Sequence, residues 1–177
     1  ARCPWRTALA NVEVAGEIRG QPQPRRREVA RALLARVGLG AFENAFPKHL
    51  SHGMRQRVAL ARTFSMESPI LLMDEPFGAL DSLTKIQLEE VLLDLWQAQS
   101  RTVMFVTHDL GEAVAVSDRV VVMSARPGRI VADIRIDLPR PRSVKSLQKD
   151  PAFHRLHAAV WEKLDEAMGA GTEAVHA

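Results

Sequence analysis

Two short apolar runs, each closed by polar residues and separated by a helical stretch, constrain the fold of this chain more than any other feature. Ile70-Leu71-Leu72-Met73 ends at Asp74-Glu75-Pro76, and Thr102-Val103-Met104-Phe105-Val106 ends at Thr107-His108-Asp109. Continuous apolar runs of this length read as strands buried on both faces. Between them, residues 83–96 carry Ile86, Leu88, Val91, Leu92 and Leu95 at helical spacing, so the three pieces form a βαβ crossover with parallel strands. Ligands bind beyond the carboxyl ends of such strands. Adjacent strand residues point to opposite faces, which lets Asp74 and Glu75 divide two tasks, one turned towards a metal and the other towards a nucleophilic water.

Upstream of the first strand, Ser51 stands where a helix begins, because Met54, Val58, Ala61 and Phe64 recur as one apolar stripe. Its hydroxyl caps the helix, while the amides of Ser51, His52, Gly53 and Met54 point outward at the positive end of the dipole. Gly53 allows close backbone approach to a phosphate oxygen. Taken singly, each piece has an ordinary explanation: a capped amphipathic helix, a solvated acidic turn, a loop imidazole. An anion-seeking helix start joined to two polar strand ends is a rarer combination.

With these residues in place the chain resembles the nucleotide-binding subunit of ABC transporters. LSHGM resembles the family's signature motif, ILLMDE its Walker B strand, GALD its D-loop and THD its histidine switch, in matching order over residues 46–129. The phrases PFGALDSLTK and SDRVVVMSARPGRI resemble the importer branch for nitrate, sulfonate, taurine or bicarbonate. The resemblance implies an α/β fold, the C-terminal part of an ABC-type nucleotide-binding domain: a helical subdomain plus a partial RecA-like parallel sheet with flanking helices. It implies ATP and Mg²⁺ as ligands, with Asp74 holding the cation through water and Glu75 acting as general base. It further implies that His108 contacts the γ-phosphate, and that Ser51, His52, Gly53 and Met54 form the signature site for ATP held by a second subunit. Asp81 then lies at the interface between the two subunits.

Two departures from the family pattern stand out. His52 occupies a position where the family carries glycine, and its side chain either crowds the trans phosphate or donates to it. No Gly-x-x-x-x-Gly-Lys-Ser/Thr occurs among the ten glycines, so the Walker A nest and its lysine are missing from these residues. The stretch from Pro4 to Asn11 follows the family's glutamine loop closely, and the chain opens on Ala1. The expectation is a chain cut inside its domain that neither binds ATP normally nor turns it over alone. A second reading is a catalytically dead remnant, or a partner that contributes only Ser51, Gly53 and Asp81 in trans. Loss of upstream strands is also expected to leave an apolar face uncovered.

The expected organisation is a helical subdomain over 1–49, an ATPase core over 50–138 and an extension over 139–177. In the first, Val29, Leu33, Leu34 and Val37 make a stripe that Gly38 and Gly40 stop; by resemblance this lobe receives the membrane-spanning permease. Further strands are expected at 119–123 and 129–136 around an Arg126-Pro127-Gly128 turn. Pro139-Arg140-Pro141-Arg142 is read as a break after the core, Pro151 as the start of a last helix, and Gly169-Ala170-Gly171 onward as frayed.

Composition removes several alternatives. With 46% hydrophobic residues in 177, the chain suffices for one core, and its single cysteine, Cys3, excludes an internal disulfide and fits a reducing compartment. No apolar run approaches membrane-spanning length, so any membrane association runs through a partner; the resemblance implies a peripheral place on the cytoplasmic face of the bacterial inner membrane. A net charge of +3, 5% aromatics and no tyrosine make nucleic acid an unsuitable partner, and Arg25-Arg26-Arg27 is read as a solvated helix start. The expected partners are a second ATP-binding subunit, a permease and, indirectly, a solute-binding protein. The chromosome-maintenance and DNA-repair ATPases that share signature and Walker B motifs are set aside, since no coiled coil fits between the motifs.

Overall fold

The computed structural model describes residues 3–78, 80–99, 101–125 and 127–173. The βαβ unit is present: β1 (Ile70–Asp74) and β2 (Thr102–Val106) form a two-stranded sheet joined through a long helix, α4 (Ser82–Gln99). The Thr102 amide donates to Pro69 C=O at 3.1 Å and the Glu75 amide to Val106 C=O at 2.9 Å. Start meets start and end meets end, so the strands are parallel, with Leu72 beside Met104 and Asp74 beside Val106. Their burial differs from expectation. Leu71 and Met73 are buried, but Ile70, Leu72 and Met104 are 56%, 73% and 62% exposed. The sheet therefore presents one covered and one open apolar face, and period-two alternation replaces the continuous burial that its sequence suggests.

Residues 1–72 with 79–104 cluster as one compact unit, and residues 73–78 with 105–177 as another. In the first, α1 (Ala8–Ile18), α2 (Gln23–Arg36) and α3 (His52–Ser65) pack on one another, and α3 also packs on α4. Thr7 caps α1, and buried Asn11 secures the preceding turn by donating to the carbonyls of Cys3, Arg6 and Thr7 while accepting from the Cys3 amide. The stripe read from α3 is the buried one, with Val58, Ala61 and Phe64 inside. Its last turn is locked to α1, where the Ser65 hydroxyl donates to Val12 C=O at 2.9 Å. Leu33, Leu34 and Val37 are buried as their spacing suggests, and Gly38 ends α2 at a φ of +73° that favours glycine.

The second unit holds α5 (Leu110–Val116), the antiparallel pair β3 (Arg119–Met123) and β4 (Ile130–Arg135), a short α6 (Val144–Leu147) and α7 (Pro151–Glu173). Helix α7 packs on α5, β3 and β4, burying Phe153 and Val160. Of the expected β3–β4 turn, Arg126 lies outside the described residues; the connection is closed by Ser124, whose hydroxyl accepts from the Arg129 amide at 3.0 Å. Two expectations are corrected here. The helical backbone of α7 continues through residues 169–171 to Glu173, because three small residues at a helix end do not by themselves unwind it; residues 174–177 of the expected frayed tail lie outside the described residues.

The 139–142 segment does not break away either, because Leu138, Val144 and Leu147 are buried and Arg142 is buried between them. Its guanidinium donates to the carbonyls of Ala115, Ser117, Ile136 and Leu138 and pairs with Asp118 at 3.3 Å. Burial pushes its pKa down, opposed by Asp118, but a guanidinium stays charged. Replacing Arg142 with Met strands four carbonyls at once. Urea unfolding is expected to show a loss of about 2–4 kcal/mol, with Arg142→Lys intermediate; an unchanged midpoint contradicts this role.

Candidate functional site

Three candidate residues meet at the carboxyl ends of β1 and β2. Asp74 is the last residue of β1 and is exposed on the open face of the sheet. Glu75 leaves the strand with a φ of +40°, a left-handed conformation that non-glycine residues seldom adopt. Its orientation is therefore set by this turn rather than by strand alternation. The turn is secured on both sides: the Glu75 amide donates to Val106 C=O, and its carbonyl accepts from the Gly78 amide at 3.3 Å. A Cβ on Gly78 would stand 3.2 Å from Glu75 Oε2, so glycine leaves that carboxylate room.

Opposite it, His108 follows β2, and its Nδ1 lies 3.0 Å from Glu75 Oε1. With Glu75 ionised, Nδ1 carries the proton and donates, leaving Nε2 for another ligand. The loop behind His108 is braced. The Thr107 hydroxyl donates to Glu112 Oε2 at 2.6 Å and accepts from the Asp109 amide at 3.0 Å, while Asp109 caps α5 through the Glu112 amide. Both Glu75 and His108 remain about half or more exposed, at 52% and 70% of their side chains, so a polyanionic substrate can reach them.

The donor set suits Mg²⁺ of a particular kind. Among the described residues no group of three His, Cys, Asp or Glu side chains could cage a metal. One or two exposed carboxylates at a strand end fit a cation that keeps several waters and binds through substrate phosphates.

The other candidates assemble in the first unit. Ser51, His52, Gly53, Met54 and Asp81 all line one cavity of about 540 Å³ between the starts of α3 and α4. Ser51 is the N-cap of α3, and its Oγ accepts from the Met54 amide at 3.2 Å. That bond removes Met54 from the four outward amides expected and leaves those of Ser51, His52 and Gly53 at the head of the helix. Asp81 caps α4 in the same way, its Oδ1 accepting from the Thr84 amide at 3.0 Å; the neighbouring Ala79 lies outside the described residues.

Sequence reasoning missed Thr84 and Arg57, which also line the cavity. Thr84 was readable as the third residue after a capping Asp. Arg57 carried no such signal: it donates to Val37 C=O and to Gln87 Oε1, both at 3.3 Å, a pairing that only the packed helices create.

The Thr84 amide, and then its hydroxyl, hold the Asp81 carboxyl below the usual carboxylate range. A depressed folded pKa gives stability that is full above the unfolded value, about 3.9, and is lost as pH falls through the lower folded value. The advantage of the wild type over Asp81→Ala in urea unfolding is therefore expected to hold near neutral pH and to shrink below about pH 3.9. An advantage that is independent of pH contradicts the capping role.

Residues 4–78 match the family model described as ABC transporter. The chain is 48% identical over 158 residues to an ATP-binding protein of Brucella abortus (strain 2308), covering 89% of this chain and 60% of that one. It is 42% identical over 161 residues to the taurine import ATP-binding protein of Rhizobium johnstonii, covering 89% and 62%. Its fold matches the dimeric structure of an ATP-binding cassette in a post-hydrolysis state bound to ADP and Pi, with a TM-score of 0.63, 32% identity, and coverage of 78% of this chain and 60% of that one. The chain thus spans about 60% of the length of these relatives. Residues 4–78 thus match the ABC transporter family, and the chain as a whole is similar in sequence and fold to ATP-binding proteins.

Proposed function

We propose that this chain serves an ATP-binding and ATP-hydrolysing subunit that energises an importer for nitrate, sulfonate, taurine or a similar small anion. The observation that carries the reading is the Glu75–His108 pair, 3.0 Å apart at the ends of two parallel strands, in a chain whose relatives include a taurine import ATP-binding protein. Glu75 takes a proton from water as the water oxygen bonds to the γ-phosphorus; the bond from that phosphorus to the β–γ bridging oxygen breaks, and ADP leaves with the electron pair. His108 orients Glu75 through Nδ1 and offers Nε2 to the γ-phosphate. Asp74 would hold Mg²⁺, which would supply positive charge to the phosphates.

In this reading Ser51, His52, Gly53 and Met54 meet the γ-phosphate of ATP bound by a second subunit, and Asp81 lies at the shared interface. ATP-driven closure of two such subunits moves a membrane-spanning permease, and hydrolysis reopens them. Among the described residues no helix is long and apolar enough to cross a membrane; the proposed place is peripheral, on the cytoplasmic face, held by the permease. Selectivity for the solute lies with the permease and a solute-binding protein.

In the transporter as its source cell assembles it, Glu75→Gln is expected to lower ATP hydrolysis by about 10²–10⁴-fold while ATP-dependent pairing of the subunits persists. Hydrolysis that survives this change rules out Glu75 as the base. When the chain is mixed with an intact ATP-binding subunit, ATP hydrolysis that disappears on Ser51→Ala supports the trans role of the signature turn. Absence of association removes it.

A further inference from the structure

The cavity joins two helix starts, and one residue touches both. The Thr84 amide donates to the Asp81 carboxylate at 3.0 Å. On its other side, Thr84 Cγ2 lies 3.1 Å from where a Cβ on Gly53 would stand, inside the separation at which carbon atoms attract. Gly53 is thus glycine at the point where α4 crosses the first turn of α3. We propose that Thr84 is a positioning residue that ties Asp81 to the first turn of α3, so that Ser51 and Gly53 meet a partner's ATP, and Asp81 the shared interface, as one group of fixed geometry. The inference rests on the trans role given above to those three residues; Thr84 itself touches no reacting atom.

Threonine suits the task because its amide holds Asp81 while its methyl is turned towards Gly53, and branching at Cβ stiffens the side chain. Serine lacks that methyl, and valine keeps it. The link is reinforced one turn further along each helix. Arg57, four residues after Gly53, donates to Gln87, three residues after Thr84, and also to Val37 at the end of α2. Rigidity here has consequence, since displacing a phosphate-binding group by about 1 Å costs as much as 10²-fold in rate.

Two measurements test the proposal. In the chain itself, Gly53→Ala is expected to lower the urea midpoint, and the loss is expected to disappear in a Thr84→Ala background, because the added methyl then has space. Equal losses in both backgrounds overturn the Thr84–Gly53 link, and this result does not depend on ATP. In the mixture with an intact ATP-binding subunit, Thr84→Ser is expected to lower kcat by about tenfold with KM for ATP shifted less than about twofold, while Thr84→Val loses less than about threefold. A loss under Thr84→Val equal to that under Thr84→Ser, or a change in KM alone, contradicts positioning through the methyl. If the wild-type mixture hydrolyses no ATP, the trans reading fails on its own, and the midpoint cycle still decides the link.

Discussion

The parallel pairing of β1 with β2 is the constraint on which the catalytic end depends. Because Thr102 bonds to Pro69 and Glu75 to Val106, the two strands finish level, and the residues just past each end are brought side by side. His108 lies 33 positions after Glu75 in sequence, yet the register brings the two residues together, with His108 Nδ1 3.0 Å from Glu75 Oε1. A slip of one residue would turn the apolar set of β1 to its other face and carry Glu75 away from the imidazole. The left-handed turn at Glu75 adds to this: it costs of the order of 1–3 kcal/mol, and the bonds to Val106 and Gly78 on either side hold it in place.

The half proposed to face a partner is built on a different principle. Two helix starts, each capped by its own side chain, share one cavity, so that Ser51 and Asp81 serve local structure and the proposed phosphate contact together. Gly53 illustrates how one residue can answer to two demands. Backbone approach to a phosphate and close packing against Thr84 both exclude a side chain at that position, and the second demand is visible in the chain alone. His52 heads the same helix and is exposed on the cavity wall, so the residue that departs from the family's glycine faces the space that a ligand would enter.

Much of the fold was legible because local signals and tertiary packing agree. The strand at Arg119–Met123 falls where alternation places it, and α4 extends its expected span by one residue at the start and three at the end. Asp81 to Thr84 capping supplies the early start. What was not legible depends on long-range partners. The burial of β1 on one face only is set by what lies over the sheet, which a run of Ile-Leu-Leu-Met cannot report. Arg142 sits in a Pro- and Arg-rich stretch that reads as a break after the core, yet two carbonyls from the distant Ala115–Ser117 segment join two nearby ones on its guanidinium. Candidate residues were found by resemblance and by chemistry at strand and helix ends; the residues that brace them, Thr84 and Arg57, emerge only when helices meet.

The central claim is that one chain presents two half-sites, a base at its strand ends and a phosphate-binding turn for its partner. The most direct measurement is a structure of the assembled transporter carrying Glu75→Gln with ATP and Mg²⁺ bound. The account predicts the Ser51 hydroxyl and the Gly53 amide within hydrogen-bond reach of the γ-phosphate on the opposing subunit, with His108 Nε2 directed at the γ-phosphate beside its own strand ends. A γ-phosphate that meets neither Ser51 nor Gly53, or an His108 turned away from it, contradicts the account.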